Sequence, residues 1–181
     1  SNPPTLQTMP FMYVTSNGTT YTTDINGNLA IPSAASVTAR FQGEFCRVYN
    51  QAGSDHSATG NFQAGSGNSL VMNSAQTEAI TSEASCYDSV NDFNIWLKSI
   101  DATDTHLDFQ MRTNANLSST CNAYYDGSSI NMYSSGSGCN NTGFSTVVTH
   151  EAGHWANDRY NSGNGSDGFG EGNADVWSMY I

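Results

Sequence analysis

The residues of this chain best placed to do chemistry are His150-Glu151-Ala152-Gly153-His154. Four residues make about one helical turn, so both imidazoles project from one face at a spacing that can chelate a single Zn2+. Glu151 is rotated about 100° from His150, beside the metal's open position, where it can take a proton from water. A three-histidine version of this motif needs Gly three and His six residues after His154, and those places hold Asn157 and Tyr160. A third ligand must then be an acid on a following element. The stretch Gly168-Phe169-Gly170-Glu171-Gly172-Asn173-Ala174-Asp175 offers Glu171 and Asp175, one turn apart. One carboxylate can bind metal while the other holds a ligand His from behind. The blander reading is a solvated acidic helix start.

These side chains need two helices, one starting near Phe144 and running past His154, the other starting near Glu171. Upstream, Cys86, Val90, Phe93, Leu97 and Ile100 follow a 4-3-4-3 spacing, which predicts a helix from near Gln76 to Ile100. Leu107, Phe109 and Met111 alternate with His106, Asp108, Gln110 and Arg112, as in a half-buried strand. Strands are expected over 121–125 and 129–133, linked by Asp126-Gly127, with a loop at 134–142. Nearer the N-terminus, strands at 11–15 and 20–23 flank Asn17-Gly18, a hairpin signal. A second Asn26-Gly27 turn precedes Leu29-Ala30-Ile31, and strands are expected at 36–42 and 44–49, joined at Gly43. Asp24, Asn26 and Asn28 lack the Gly and distal Glu of a calcium loop and read as turn residues. Residues 51–69 are rich in Gly, Ser and Asn and read as a long loop. The expected class is α+β: a β-rich segment over 1–70, then a lobe over 71–181 with a helix, a β-meander and two zinc-binding helices.

Composition narrows the function classes. The 181 residues carry five basic against sixteen acidic groups, a formal charge of −11, and Lys98 is the sole lysine. Nucleic acid is therefore excluded as a partner, because phosphates need clustered Lys and Arg. No apolar run approaches the ~20 residues of a membrane span. Ser, Thr, Asn and Gly supply 79 residues, and with so few lysines this points to secretion. The start, Ser1-Asn2-Pro3-Pro4, lacks a basic region and an apolar core, so a secreted form would already be processed. The sequons at Asn17, Asn116, Asn140 and Asn164 are expected by chance in such a composition. Four cysteines with no CxxC pair suggest two disulfides. Cys121–Cys139 would close a hairpin, which leaves Cys46–Cys86; the alternative is four reduced thiols.

Together these motifs resemble the thermolysin-like zinc peptidases, the gluzincins. That family carries HExxH, a second helix with a Glu ligand and an Asp four residues beyond it, matched here by His150, His154, Glu171 and Asp175. The resemblance implies one Zn2+ on His150, His154 and Glu171, with Glu151 as general base. It also implies supporting roles for Asp175 and for Asp158, four residues after the second His. An edge strand that pairs with bound peptide is matched by Asn122-Ala123-Tyr124-Tyr125-Asp126-Gly127, implying substrate contacts at Asn122, Ala123 and Tyr124. The match covers roughly residues 76–181.

Departures are equally specific. The family continues into a helical lobe that carries an intermediate-stabilising His, whereas this chain ends at Ile181 and has no His after Glu171. A C-terminal lobe or a second chain is expected to complete the cleft. Thr146 occupies the place of a family calcium acid, so calcium is possible but unsupported there. His56 and His106 read as loop and strand-surface residues, and Tyr124, Tyr125 and Trp155 as packing in the plainer view. The expected function is a secreted zinc endopeptidase acting on protein or peptide. The alternative is a catalytically inactive, metal-stabilised adhesive or structural module, against which the intact Glu151 counts.

Overall fold

In a computed structural model, residues 5–65, 67–166 and 168–181 are described. Residues 1–4 and Ser66, read above as a processed start and as loop, lie outside them.

An antiparallel hairpin opens the fold, β1 (Met12–Ser16) with β2 (Thr19–Thr22). Asn17 and Gly18 both take positive φ, 49° and 78°, the backbone that a two-residue hairpin turn demands. β3 (Ala35–Gly43) pairs antiparallel with β1, and β4 (Cys46–Asn50) returns beside it. β5 (Ser57–Phe62) pairs antiparallel with β3 inside the stretch expected to be loop. Its inward positions are Ala58, Gly60 and Phe62, too weakly apolar to show as an alternation. Leu29 and Ile31 form no strand but pack against the core. Asp24 behaves as a turn residue, its carboxylate accepting from the backbone N–H of Asn26 and Asn28.

Helix α1 (Glu78–Ile100) begins at Thr77, whose hydroxyl accepts from the Ile80 N–H. Its stripe buries Cys86, Val90 and Phe93, then leaves the core: Ile100 is exposed. β6 (Met111–Leu117) starts later than the alternation suggested. Before it, Asp101 and Asp104 hold the backbone N–H groups of Thr103 and His106, so local side-chain bonds replace a sheet ladder. Leu107 is buried from this turn and Phe109 is exposed.

β7 (Ala123–Tyr125) and β8 (Ser129–Tyr133) follow, and the sheet order is β2-β1-β3-β4-β6-β8-β7. The expected meander is absent: β8 lies parallel to β6, which lies parallel to β4, and β7 is the antiparallel edge. Because β3 and β4 share this sheet with β6, the fold runs continuously across residue 70. Helix α2 (Ser145–Arg159) packs on β7, β8 and α1, and α3 (Phe169–Tyr180) packs on α2. The architecture is α+β, a mixed sheet with α1 and α2 over its apolar face. Val37, Phe41, Val48, Tyr87, Phe93, Ile130, Met132 and Val148 form the core between them.

Cys121, just before β7, and Cys139, in the loop that follows β8, form a disulfide. Cys46 and Cys86 do not pair; both are free and fully buried. Burial pushes the Cys46 thiol up to about 12 and raises Cys86 further, so both behave as small apolar core residues. The pairing by elimination is thus corrected. Among the described residues no helix is long and apolar enough to cross a membrane.

Candidate metal centre

Helix α2 reaches its site because of one glycine. A Cβ on Gly153 would stand 2.9 Å from the Ala174 Cα, so only a residue without a side chain lets α3 cross this closely. That crossing lays Glu171, in the first turn of α3, over the two imidazoles of α2. Glu171 Oε2 lies 3.3 Å from His150 Nε2 and 3.5 Å from His154 Nε2. Two atoms each about 2.05 Å from one ion at a tetrahedral angle lie roughly 3.3 Å apart. Both Glu171–imidazole distances match that spacing, and the three ligand atoms all lie within 4.8 Å of one another. Among the described residues, His150, His154 and Glu171 are the one group of three or more His, Cys, Asp or Glu that can hold a metal ion.

Each imidazole is turned by a partner on its far nitrogen. His150 Nδ1 meets Asp175 Oδ1 at 2.8 Å, and His154 Nδ1 meets Asn164 Oδ1 at 3.0 Å. Both partners are acceptors, so Nδ1 carries the proton and each Nε2 lone pair faces the site. Asn164 is itself locked, donating to the His154 carbonyl and to Asp158 Oδ1 and accepting from Asn157 Nδ2. Asp158, for which the resemblance implies a supporting role, meets His154 through Asn164. Nothing in the residue types singles out Asn164; only the short connection from α2 to α3, which must pass His154, hints at it.

Glu151 is buried, unlike the exposed Glu171. Burial raises its carboxyl above the usual range, opposed by His150, His154 and the Tyr125 backbone N–H, while Glu171 adds to the rise. Tyr125 therefore borders the site from β7, its phenol raised above the usual range by burial and by the nearby Asp158 carboxylate. This residue was expected only to pack.

The proposed substrate residues lie on the sheet's edge. Ala123 is buried in β7, and Tyr124 is partly exposed with its ring against Tyr133. The Asn122 carbonyl accepts from the Thr142 hydroxyl. Peptide groups alternate sides along a strand, so with the Tyr125 N–H turned to Glu151, Ala123 presents its own polar groups to that same open edge. Thr146 sits in the first turn of α2, its carbonyl accepting from Thr149. His56 binds the Met72 carbonyl beside β5, and His106 stacks on Tyr160 with Nδ1 at Asp104. No protein-family model matches the chain and no curated protein does either.

Proposed function

We propose that this chain is a zinc-dependent extracellular endopeptidase, hydrolysing peptide bonds in extended segments of protein. The observation that carries this reading is the convergence of two oriented imidazoles and one carboxylate beside a buried second carboxylate, Glu151. The donor set, two nitrogens and one oxygen, suits Zn2+ with one position left open. Zinc bound there would supply Lewis acidity, polarising a carbonyl and lowering the pKa of water.

The chain's own residues do the rest. His150, His154 and Glu171 would hold the ion, while Asp175 and Asn164 fix the two rings. An extended peptide adds to the open edge of β7, its backbone pairing with Ala123, which carries its scissile carbonyl toward Glu151. Glu151, held by the Tyr125 N–H, takes a proton from water and returns it to the departing amine. A purely structural zinc site has no use for such a buried base, which weighs against the inactive module. The Cys121–Cys139 disulfide supports an oxidising, extracellular setting.

Casein digestion tests the proposal. The zinc-loaded chain should cleave casein, lose that ability to a chelator and regain it with added Zn2+. A folded, zinc-loaded chain that leaves casein and unstructured peptides intact would contradict the endopeptidase reading.

A further inference from the structure

The face of the sheet opposite the helices has its own order. Thr20, Thr15, Thr38 and Thr59 are register partners across β2, β1, β3 and β5, forming one rank of hydroxyls. All four are exposed or half-buried, and Thr38 and Thr59 share a hydrogen bond of 3.0 Å. Two residues along β3 from Thr38 comes Arg40, and along β1 from Thr15 comes Tyr13. A further rank holds Gln42, Arg47 and Arg112, register partners across β3, β4 and β6. Tyr13, Thr15, Thr20, Thr38, Arg40 and Arg47 line a cavity of about 320 Å3 here.

This small area holds three of the five basic residues of a chain whose net charge is −11. Arg47 is committed, bonded to Gln42 and paired with Asp55 at 2.9 Å. Arg40 and Arg112 are exposed, and among the described residues neither has an acidic partner. Register neighbours Arg47 and Arg112 lie against the same Tyr49 ring, with 4.8 and 4.7 Å to its centroid. Asp55 answers the charge of Arg47, and Arg112 bonds the neutral Asn114 amide, so among the described residues Arg40 and Arg112 are the guanidiniums of this face left without a carboxylate. Arg40 and Arg112 are two strands and two residues apart, roughly 12 Å, too far for one small ion to serve both. An anionic chain with repeated charges spans that distance. Threonine hydroxyls and tyrosine faces beside the guanidiniums favour sugar over acidic peptide, because they meet ring hydroxyls and the apolar faces of pyranose rings.

We propose that this face binds an acidic polysaccharide, its carboxylates or sulfates on Arg40 and Arg112 and its sugar rings along the threonine rank and Tyr13. The site is on the side of the sheet away from the helices and does not depend on the zinc reading.

Titration calorimetry of the intact chain at low ionic strength tests this. The probes are a galacturonate hexasaccharide, a heparin hexasaccharide, neutral maltohexaose, polyglutamate and inorganic sulfate. Expected is saturable binding of one or both acidic hexasaccharides, weakened by added salt. Arg40→Gln and Arg112→Gln should each weaken it about tenfold, on the scale of one lost charge-assisted hydrogen bond. Lys98→Gln, distant from this face, should leave it unchanged, and neither arginine variant should alter zinc binding. The two hexasaccharides distinguish carboxylate from sulfate recognition. No saturable binding of either, or binding untouched by both arginine variants, overturns the proposal. So does tighter binding of polyglutamate, or an affinity for inorganic sulfate equal to that of the hexasaccharides.

Discussion

Asn164 shows how a single side chain can decide the tautomer of a candidate metal ligand. Its oxygen fixes the His154 tautomer, and its nitrogen is spent on the His154 carbonyl and Asp158. Asn164→Ala should therefore weaken zinc affinity by about 10- to 100-fold, the usual effect of removing such a support. Competition with a fluorescent chelator would measure it; unchanged affinity would show that His154 needs no orienting partner. His150, Glu151, His154 and Glu171 were legible in the sequence because their pattern is local, one helical turn within α2 and one acid on the next helix. Asn164 was not, because its role depends on the path of a loop.

At the scale of elements, the α2–α3 crossing is the part on which the site depends. A methyl on Gly153 would meet the Ala174 backbone at 2.9 Å and Trp177 at 3.0 Å, so Gly153→Ala must push α3 away and carry Glu171 with it. Overpacking of this kind costs about 1–3 kcal/mol, and zinc affinity should fall together with thermal stability. Gly172→Ala is the contrast, since nothing lies within 4 Å of its added methyl. It should stabilise α3 by up to about 1 kcal/mol through helix propensity. Equal effects of the two alanines on melting temperature and zinc binding would contradict this view of the crossing. α1, α2 and α3 were legible from periodicity and from the zinc motif. β5 was not, because Ala58 and Gly60 carry its buried side. The alternation at 106–112 misled, since Asp104 binds the His106 N–H and turn carbonyls accept from Asp108 and Phe109.

Over the whole molecule, sequence order conceals sheet order. Nothing local marks β4, β6 and β8 as parallel neighbours, because each pairing spans a long connection. Nor does a cysteine count reveal that Cys46 and Cys86 belong to the core between β4 and α1. The global acid balance also leaves a mark on α1. Burial raises the Asp88 carboxyl to about 6, with Asp92 one turn on adding to the rise. The unfolded chain releases that proton nearer pH 4, so between about pH 4 and 6 the folded state holds the proton longer. Stability from this group therefore falls as pH rises through that window. Asp88→Asn removes the penalty, so its melting temperature should exceed that of the wild type above pH 6 and converge with it near pH 4. A gain independent of pH would show that burial of the charge is not the cause.

The proposed function rests on proton transfer by Glu151, a buried carboxylate beside three residues that could hold zinc. Its most direct measurement pairs zinc content with casein hydrolysis in Glu151→Gln. One zinc per chain with hydrolysis reduced by at least about a hundredfold, the low end of general-base contributions, is the predicted result. A variant that keeps its zinc and hydrolyses casein at the wild-type rate would rule out Glu151 as the base.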